Sequence, residues 1–351
     1  MPTATKRKKT TARAKTSARA KTSARPKTKT RAKTKTRSAP TKPSATTSKP
    51  KGLSLHIGLN SVDPNHYSGW SGDLFACEND ARDLAALART KGIVPTVLMT
   101  RDATRSRIIA GIRAAAKKLV AGDLFLLTYS GHGGQVPDTD DDEADRRDET
   151  MCFFDGQFID DELYLELSKF AKGVRILLLS DSCHSGTVAR GEILDETAAA
   201  ISGGARPRAM PRTIADKVYA QHQKFYDGLQ KAAARAGRGK LVEPDAALAQ
   251  VSISDRVTAV VKTFNPAVIL ISGCQDNQTS MDGNKNGAFT ERLLAVWNGG
   301  AFTGNYARFH ATIKSGMLPT QTPNLFSLGA VSPFMAQSPF EVQAGAIKRG
   351  R

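Results

Sequence analysis

Acidic residues are missing from the first 52 positions of this 351-residue chain, where 18 Lys and Arg stand. The remainder holds 33 basic against 33 acidic residues (51 − 18 = 33), so the whole formal charge of +18 belongs to that segment. No apolar run is long enough for a membrane span, and no apolar stretch follows the basic start as it would in a secretory leader. Cysteine is scarce: Cys77, Cys152, Cys183 and Cys274 stand far apart, without a C-x-x-C pair. That spacing supplies no disulfide framework and fits a reducing cytoplasm. No G-x-S-x-G surrounds a candidate nucleophile, which argues against a serine hydrolase.

What the first 52 residues do contain is repetition: "ARAKTS" at Ala12 to Ser17 returns at Ala18 to Ser23 and then decays. Lys, Arg, Thr, Ala, Ser and Pro bury too little apolar surface to offset ordering entropy, so a disordered tail is expected. Its charge suits nucleic acid or another polyanion, bound by counterion release without base readout.

From Leu53 the texture changes. Strand-like runs at Leu53 to Asn60, Thr96 to Thr100, Leu124 to Ser130, Arg175 to Ser182 and Ala267 to Gly273 alternate with helical spacing in "ENDARDLAALART", "TRSRIIAGIRAAAKKL", Asp161 to Phe170 and Phe289 to Trp297. Short, nearly continuous apolar strands between helices predict an α/β fold with a largely parallel sheet. Thr187 to Lys262, rich in Ala, Arg, Gly and Pro, breaks the pattern apart from a helix expected at Ile214 to Ala233. The expected organisation is a tail at 1–52, a larger half at 53–186, an insertion at 187–262, a smaller half at 263–335 and a C-terminal tail at 336–351.

Functional groups in such sheets gather beyond the carboxyl ends of strands. Two ends stand out: "LLTYSGHGGQ" sets His132 just past one, and "LLLSDSCHSG" sets Cys183 just past the next. A thiol is mostly protonated at neutral pH and needs a base to become a good nucleophile, which His132 on an adjacent strand end supplies. The amides of Gly133 and Cys183 are candidate oxyanion donors. His184 neighbours Cys183 and points to the opposite face, so it is the poorer base. His132, Cys183 and His184 also lack the spacing of a zinc site.

The 51-residue gap from His132 to Cys183, with "YSGHGGQ" and "DSCHSG", resembles the caspase clan and within it the metacaspases and their bacterial relatives, the orthocaspases. "GWSGDLFACENDARDLAAL" and "SGCQDNQTSMDGNKNGAFTERLLAVW" extend the likeness over roughly Leu53 to Phe334. The resemblance implies a caspase-like α/β fold and a cysteine endopeptidase with a His132/Cys183 dyad, usually monomeric. Where a caspase has Gln two residues before the nucleophile, this chain has Asp181, an anion that favours Lys or Arg in the pocket and rejects Asp. By the same resemblance Asp80 in "CEND" is a second pocket acid; its alternative reading is a helix N-cap.

"PDTDDDEADRRDE" is an acidic loop, and calcium-dependent metacaspases hold their ion with acids that match Asp148, Asp160 and Asp161 here. Arg190 stands where the fourth ligand belongs, so the expectation is a dyad that needs no metal, with a solvated or substrate-docking acidic loop; calcium held by Asp148, Asp160 and Asp161 is the alternative. Arg190 and the basic residues of the insertion, among them Arg206, Arg208 and Arg212, are also places where an enzyme cutting after Arg or Lys would process itself. The rival reading is a non-catalytic caspase-like scaffold that binds nucleic acid or another polyanion through its tail.

One deletion separates tail from domain. Removing Met1 to Gly52 is expected to abolish retention on heparin or DNA while peptide hydrolysis survives; retained binding at equal salt would move the polyanion site elsewhere.

Overall fold

Seven-residue apolar runs become strands here because both of their faces are covered. In the computed structural model, residues 50–137, 147–183, 206–237, 264–274, 278 and 280–342 are described. The strands are β1 (Gly52–Gly58), β2 (Ile93–Met99), β3 (Leu124–Ser130), β4 (Gly133–Pro137), β5 (Arg147–Phe153), β6 (Gly156–Ile159), β7 (Arg175–Asp181), β8 (Ala267–Ser272) and β9 (Asn324–Leu328). The helices are α1 (Cys77–Thr90), α2 (Arg105–Lys118), α3 (Asp160–Leu167), α4 (Arg212–Gly237), α5 (Ala288–Trp297), α6 (Tyr306–Ser315) and α7 (Ser332–Met335).

The main sheet runs β2-β1-β3-β7-β8-β9, parallel from β2 to β8 and closed by antiparallel β9. Alternation sorts its side chains. Phe125, Leu127, Ile176 and Leu178 face a core with Ile108 and Ile112 of α2, whereas Leu124, Leu126, Leu177 and Leu179 face α1, α5 and α6 through Leu84, Phe289, Leu293 and Phe309. Each such Leu or Phe contributes roughly 2 kcal/mol of transfer free energy on burial. This bears out the expected caspase-like α/β class with its mostly parallel sheet.

Four features differ from the sequence expectation. A second sheet, β4-β5-β6, rises antiparallel from the end of β3. β2 begins three residues early because an edge strand tolerates Pro95. Part of the expected insertion belongs to the domain: Met210, Ala215, Val218 and Tyr226 form one cluster with Val136, Cys152 and Ile159, seating α4 on the second sheet. Finally, the chain is not a tail from 336. Phe340 is buried with its ring 5.0 Å from that of Trp297, and Arg175 donates to the Glu341 and Val342 carbonyls.

The basic repeats, acidic residues 138–146, Arg190 and much of the insertion lie outside the described residues. Gly52 already pairs with Ile93 and Leu124, and the Lys51 amide donates to Asp123, so a deletion that spares β1 must stop before residue 50. No helix of the described residues is long and apolar enough to cross a membrane.

His56 sits fully buried in β1, its ring nitrogens 2.9 Å from the hydroxyls of Thr128 and Ser54. Burial lowers its pKa from 6.5 to about 3. The folded state therefore resists a proton that the unfolded chain accepts, and stability present above pH 6.5 is lost as the pH falls toward 3. This residue alone is expected to cost about 2 kcal/mol at pH 5. Denaturant melts at pH 7 and pH 5 check this: His56→Gln, which does not titrate, should lose measurably less stability than wild type. Equal losses would remove His56 as the cause.

Candidate active site

The register of β3 and β7 builds the centre. Their last paired residues are Ser130 and Asp181, and His132 and Cys183 each follow two residues later. Adjacent parallel strands thus deliver a nitrogen base and a thiol to the same end of the sheet. His132 is held from three directions. Its carbonyl accepts from the Cys152 amide (2.9 Å) and the Tyr129 hydroxyl (2.7 Å), its ring lies 4.7 Å from that of Trp70, and Nε2 lies 2.9 Å from the Gly72 carbonyl. A carbonyl only accepts, so Nε2 carries the proton and Nδ1 presents a bare lone pair. Among the described residues Nδ1 has no hydrogen-bond partner.

Cys183 is buried, with Sγ accepting from the Ser280 amide and lying 3.2 Å from Sγ of Cys274. Burial, then Cys274, holds its thiol above the ordinary value, and burial lowers His132 from 6.5 to about 4. Both groups are therefore neutral at pH 7, with no hydrogen bond between them among those described.

Beside them lies a pocket of acids filled by a cation. The Arg208 side chain is fully buried; Nη2 donates to Asp80 and Asp282 at 2.9 Å each, and Nη1 lies 3.1 Å from Asp181 Oδ2 and donates to Ser130 Oγ at 2.8 Å. Burial alone would weaken the guanidinium charge, but Asp181, Asp80 and Asp282 outweigh it and hold the pKa high. Burial pushes Asp80 up to about 6 against the pull of Arg208. Asp80 is not the cap of α1: it lies inside the helix, with its amide bonded to the Ala76 carbonyl, and its carboxylate points into the pocket.

The rest of each carboxylate is occupied as well. Asp80 accepts from Asn286 and the Gly287 amide, Asp181 from Ser280 Oγ and from the amide and hydroxyl of Thr290, and Asp282 from the amides of Phe75 and Ala76 just before α1. Gly287 is the floor of the pocket. A Cβ there would stand 2.5 Å from three guanidinium atoms, although its backbone (φ −63°, ψ 151°) suits any residue.

Main-chain groups around Arg208 converge too. Its carbonyl accepts from the Gly133 amide at 3.0 Å and the Cys183 amide at 3.2 Å. The Arg208 amide donates to Ser280 (2.9 Å), the Asp282 amide to Arg206 (2.8 Å) and the Met210 amide to Gly133 (2.7 Å). The segment is thus paired as an extra short strand between Met281 and Gly133.

His132, Gly133, Cys183, Asp181 and Asp80 all meet here. Asp282, Ser280, Cys274, Gly287 and the pocket role of Arg208 were missed; the available signal was an acid in a Gly- and Asn-rich stretch, the position of Asp282, ten residues past the end of β8. Asp148, Asp160 and Asp161 lie elsewhere, on β5 and at the start of α3. Burial, then Asp161, Glu149 and Asp148, pushes Asp160 upward, which marks these acids as neighbours. Yet Asp148 Oδ2 accepts from Gln230 of α4 at 2.7 Å, and no three potential ligands converge on a metal position among the described residues. Residues 138–146 of the acidic loop and Arg190 lie outside the described residues.

A family model described as the caspase domain matches residues 62–334. Metacaspase-1 of Mycosarcoma maydis is 31% identical over 273 residues, covering 71% of this chain and 63% of its own length. Metacaspase-1 of Saccharomyces cerevisiae is 29% identical over 277 residues, covering 69% and 58%. The chain thus spans about three-fifths of the length of these curated relatives. A crystal structure of a Geobacter sulfurreducens protein is 49% identical, superposes with a TM-score of 0.69, and covers 84% of this chain and 99% of its own.

Reactivity offers a check on this geometry. Cys77, Cys152, Cys183 and Cys274 are all free and buried. Iodoacetamide at pH 7.5 is expected to label none of them in the intact folded chain over a period that labels all four in urea, read by peptide mass spectrometry. Rapid labelling of Cys183 in the intact chain would contradict its burial.

Proposed function

The chain belongs to the caspase-domain family, and from that membership and the site geometry we propose that it is a cysteine endopeptidase cutting after Arg or Lys. The observation that carries this reading is the placement of Arg208. Its side chain fills a pocket of three carboxylates while its carbonyl oxygen lies on the amides of Gly133 and Cys183. A residue lying that way presents its carbonyl to a thiol.

The roles follow from the groups present. His132 Nδ1, the free lone pair, takes the Cys183 proton as a bound carbonyl replaces the thiol's resting contacts. The thiolate adds to the carbonyl carbon, and the Gly133 and Cys183 amides hold the developing oxyanion. His132 then passes the proton to the leaving amine, and water hydrolyses the thioester. Asp80, Asp181 and Asp282 select a cation: a P1 Asp would bring a fourth carboxylate into a desolvated site, whereas Lys carries the needed charge on a thinner stem.

Fluorogenic peptides ending in Arg, Lys and Asp test this. Turnover is expected with Arg and Lys, none with Asp, and none with Cys183→Ala. Chelator and calcium are expected to leave the rate unchanged, since Arg190 stands where calcium-dependent relatives carry a ligand acid. Gly287→Ala should lower kcat/KM for Arg peptides roughly tenfold or more, with a smaller loss for Lys, because the added methyl lies where the guanidinium packs. Folded wild-type protein that turns over none of the peptides would sink the reading and favour the polyanion-binding scaffold.

A further inference from the structure

Two of the four cysteines are brought together by the sheet. β7 and β8 are parallel neighbours whose last paired residues are Ser180 and Ser272, and the Gly273 amide donates to the Ser180 carbonyl at 2.7 Å. Cys183 lies three residues beyond one and Cys274 two residues beyond the other, so both thiols arrive at the same end of the sheet. Their sulfurs stand 3.2 Å apart, and both side chains are buried. Cys77 and Cys152 are buried instead beside the hydroxyls of Ser130 and Tyr67.

Resting on the peptidase reading above, we propose that Cys183 and Cys274 form an oxidation site: hydrogen peroxide joins them in a disulfide that takes the nucleophile out of use, and a thiol reductant returns it. Peptide hydrolysis needs one thiol, and His132 with the two oxyanion amides accounts for its steps without Cys274. The second sulfur even works against hydrolysis, because after burial it is the next cause that holds the Cys183 thiol above its ordinary value. A use outside hydrolysis explains its place. A sulfur–sulfur bond is about 2 Å long, so closing the pair takes about 1 Å of travel, which small side-chain rotations supply. The oxidant has to be small, since both sulfurs are buried, and peroxide has only two oxygens.

The reaction balances with peroxide alone. The Cys183 sulfur attacks one peroxide oxygen, the O–O bond breaks, and the thiol proton leaves with the other oxygen as water, giving a sulfenic acid. The Ser280 amide already donates to this sulfur, and the bare Nδ1 of His132 is the base of the site. Cys274 then attacks the sulfenic sulfur, and its own proton leaves with the hydroxyl as a second water. Two thiols have lost two hydrogens, and one peroxide has become two waters. With a resolving thiol in contact, this condensation outruns a second peroxide attack, which would carry Cys183 on to sulfinic acid irreversibly. Cys274 thus preserves the nucleophile while silencing it.

Peroxide treatment of the full wild-type chain tests this, read by non-reducing peptide mass spectrometry and by Arg-peptide turnover before and after dithiothreitol. Expected is one linked pair of peptides carrying Cys183 and Cys274, two hydrogens lighter than the reduced pair, with Cys77 and Cys152 left as thiols. Turnover should fall as the link appears and return nearly to its starting value with dithiothreitol. In Cys274→Ser, compared only with its own untreated rate, peroxide should drive Cys183 to sulfinic or sulfonic acid, and the fraction recovered should be roughly tenfold lower. Sulfinic acid at Cys183 of wild type without the link would overturn the proposal and leave the peptidase reading standing. So would a wild-type chain that peroxide neither links nor inhibits, or equal recovery in wild type and Cys274→Ser. A link formed in a chain that turns over no peptide, oxidised or reduced, would keep the oxidation site and sink the peptidase reading.

Discussion

A buried guanidinium held by three carboxylates is the constraint on which the rest of this site depends. Such a cluster needs hydrogen bonds on its remaining carboxylate lone pairs, because an uncompensated charge in a dry interior costs several kcal/mol, and here the carboxylates are so bonded while Arg208 Nε has no partner among the described residues. The donors that meet this demand come from far-apart parts of the chain: Ser130 at the end of β3, the amides preceding α1, Ser280 after β8, and Gly287 and Thr290 at the start of α5. The charge requirement therefore fixes how α1, α5, β3 and β7 meet. It also explains why Asp282 serves both the start of α1 and Arg208.

The same economy governs the dyad. His132 is pinned through its carbonyl and its Nε2–H, which decides the tautomer without any acidic partner. Cys183 rests against Ser280 and Cys274, neutral and shielded. Pinning the base while parking the thiol keeps both groups in place without keeping them reactive.

Much of this was legible in the sequence, for a physical reason. Doubly covered parallel strands read as apolar runs, so β3 was bounded correctly at Leu124 to Ser130 and the two residues beyond it drew notice at once. Asp181 could be found because it stands two residues before the thiol, and Asp80 because "CEND" resembles the metacaspase motif. Asp282 and Arg208 were harder to find, since their partners lie 27 to 207 residues away and no local period announces them. β4 was missed because "GGQVP" has almost no strand propensity and exists through its pairing with β5. Phe340 was lost for a similar reason: one aromatic in a polar stretch reads as tail until Trp297 and Phe309 close around it.

The order of these parts along the chain has a consequence for synthesis. A ribosome releases His132 and Cys183 first, then Arg208, and only some seventy residues later Ser280, Asp282 and Gly287, which complete the pocket. The last wall of the site thus arrives after its occupant. Arg208 is therefore already on the chain, within reach of the site, when the pocket can first close.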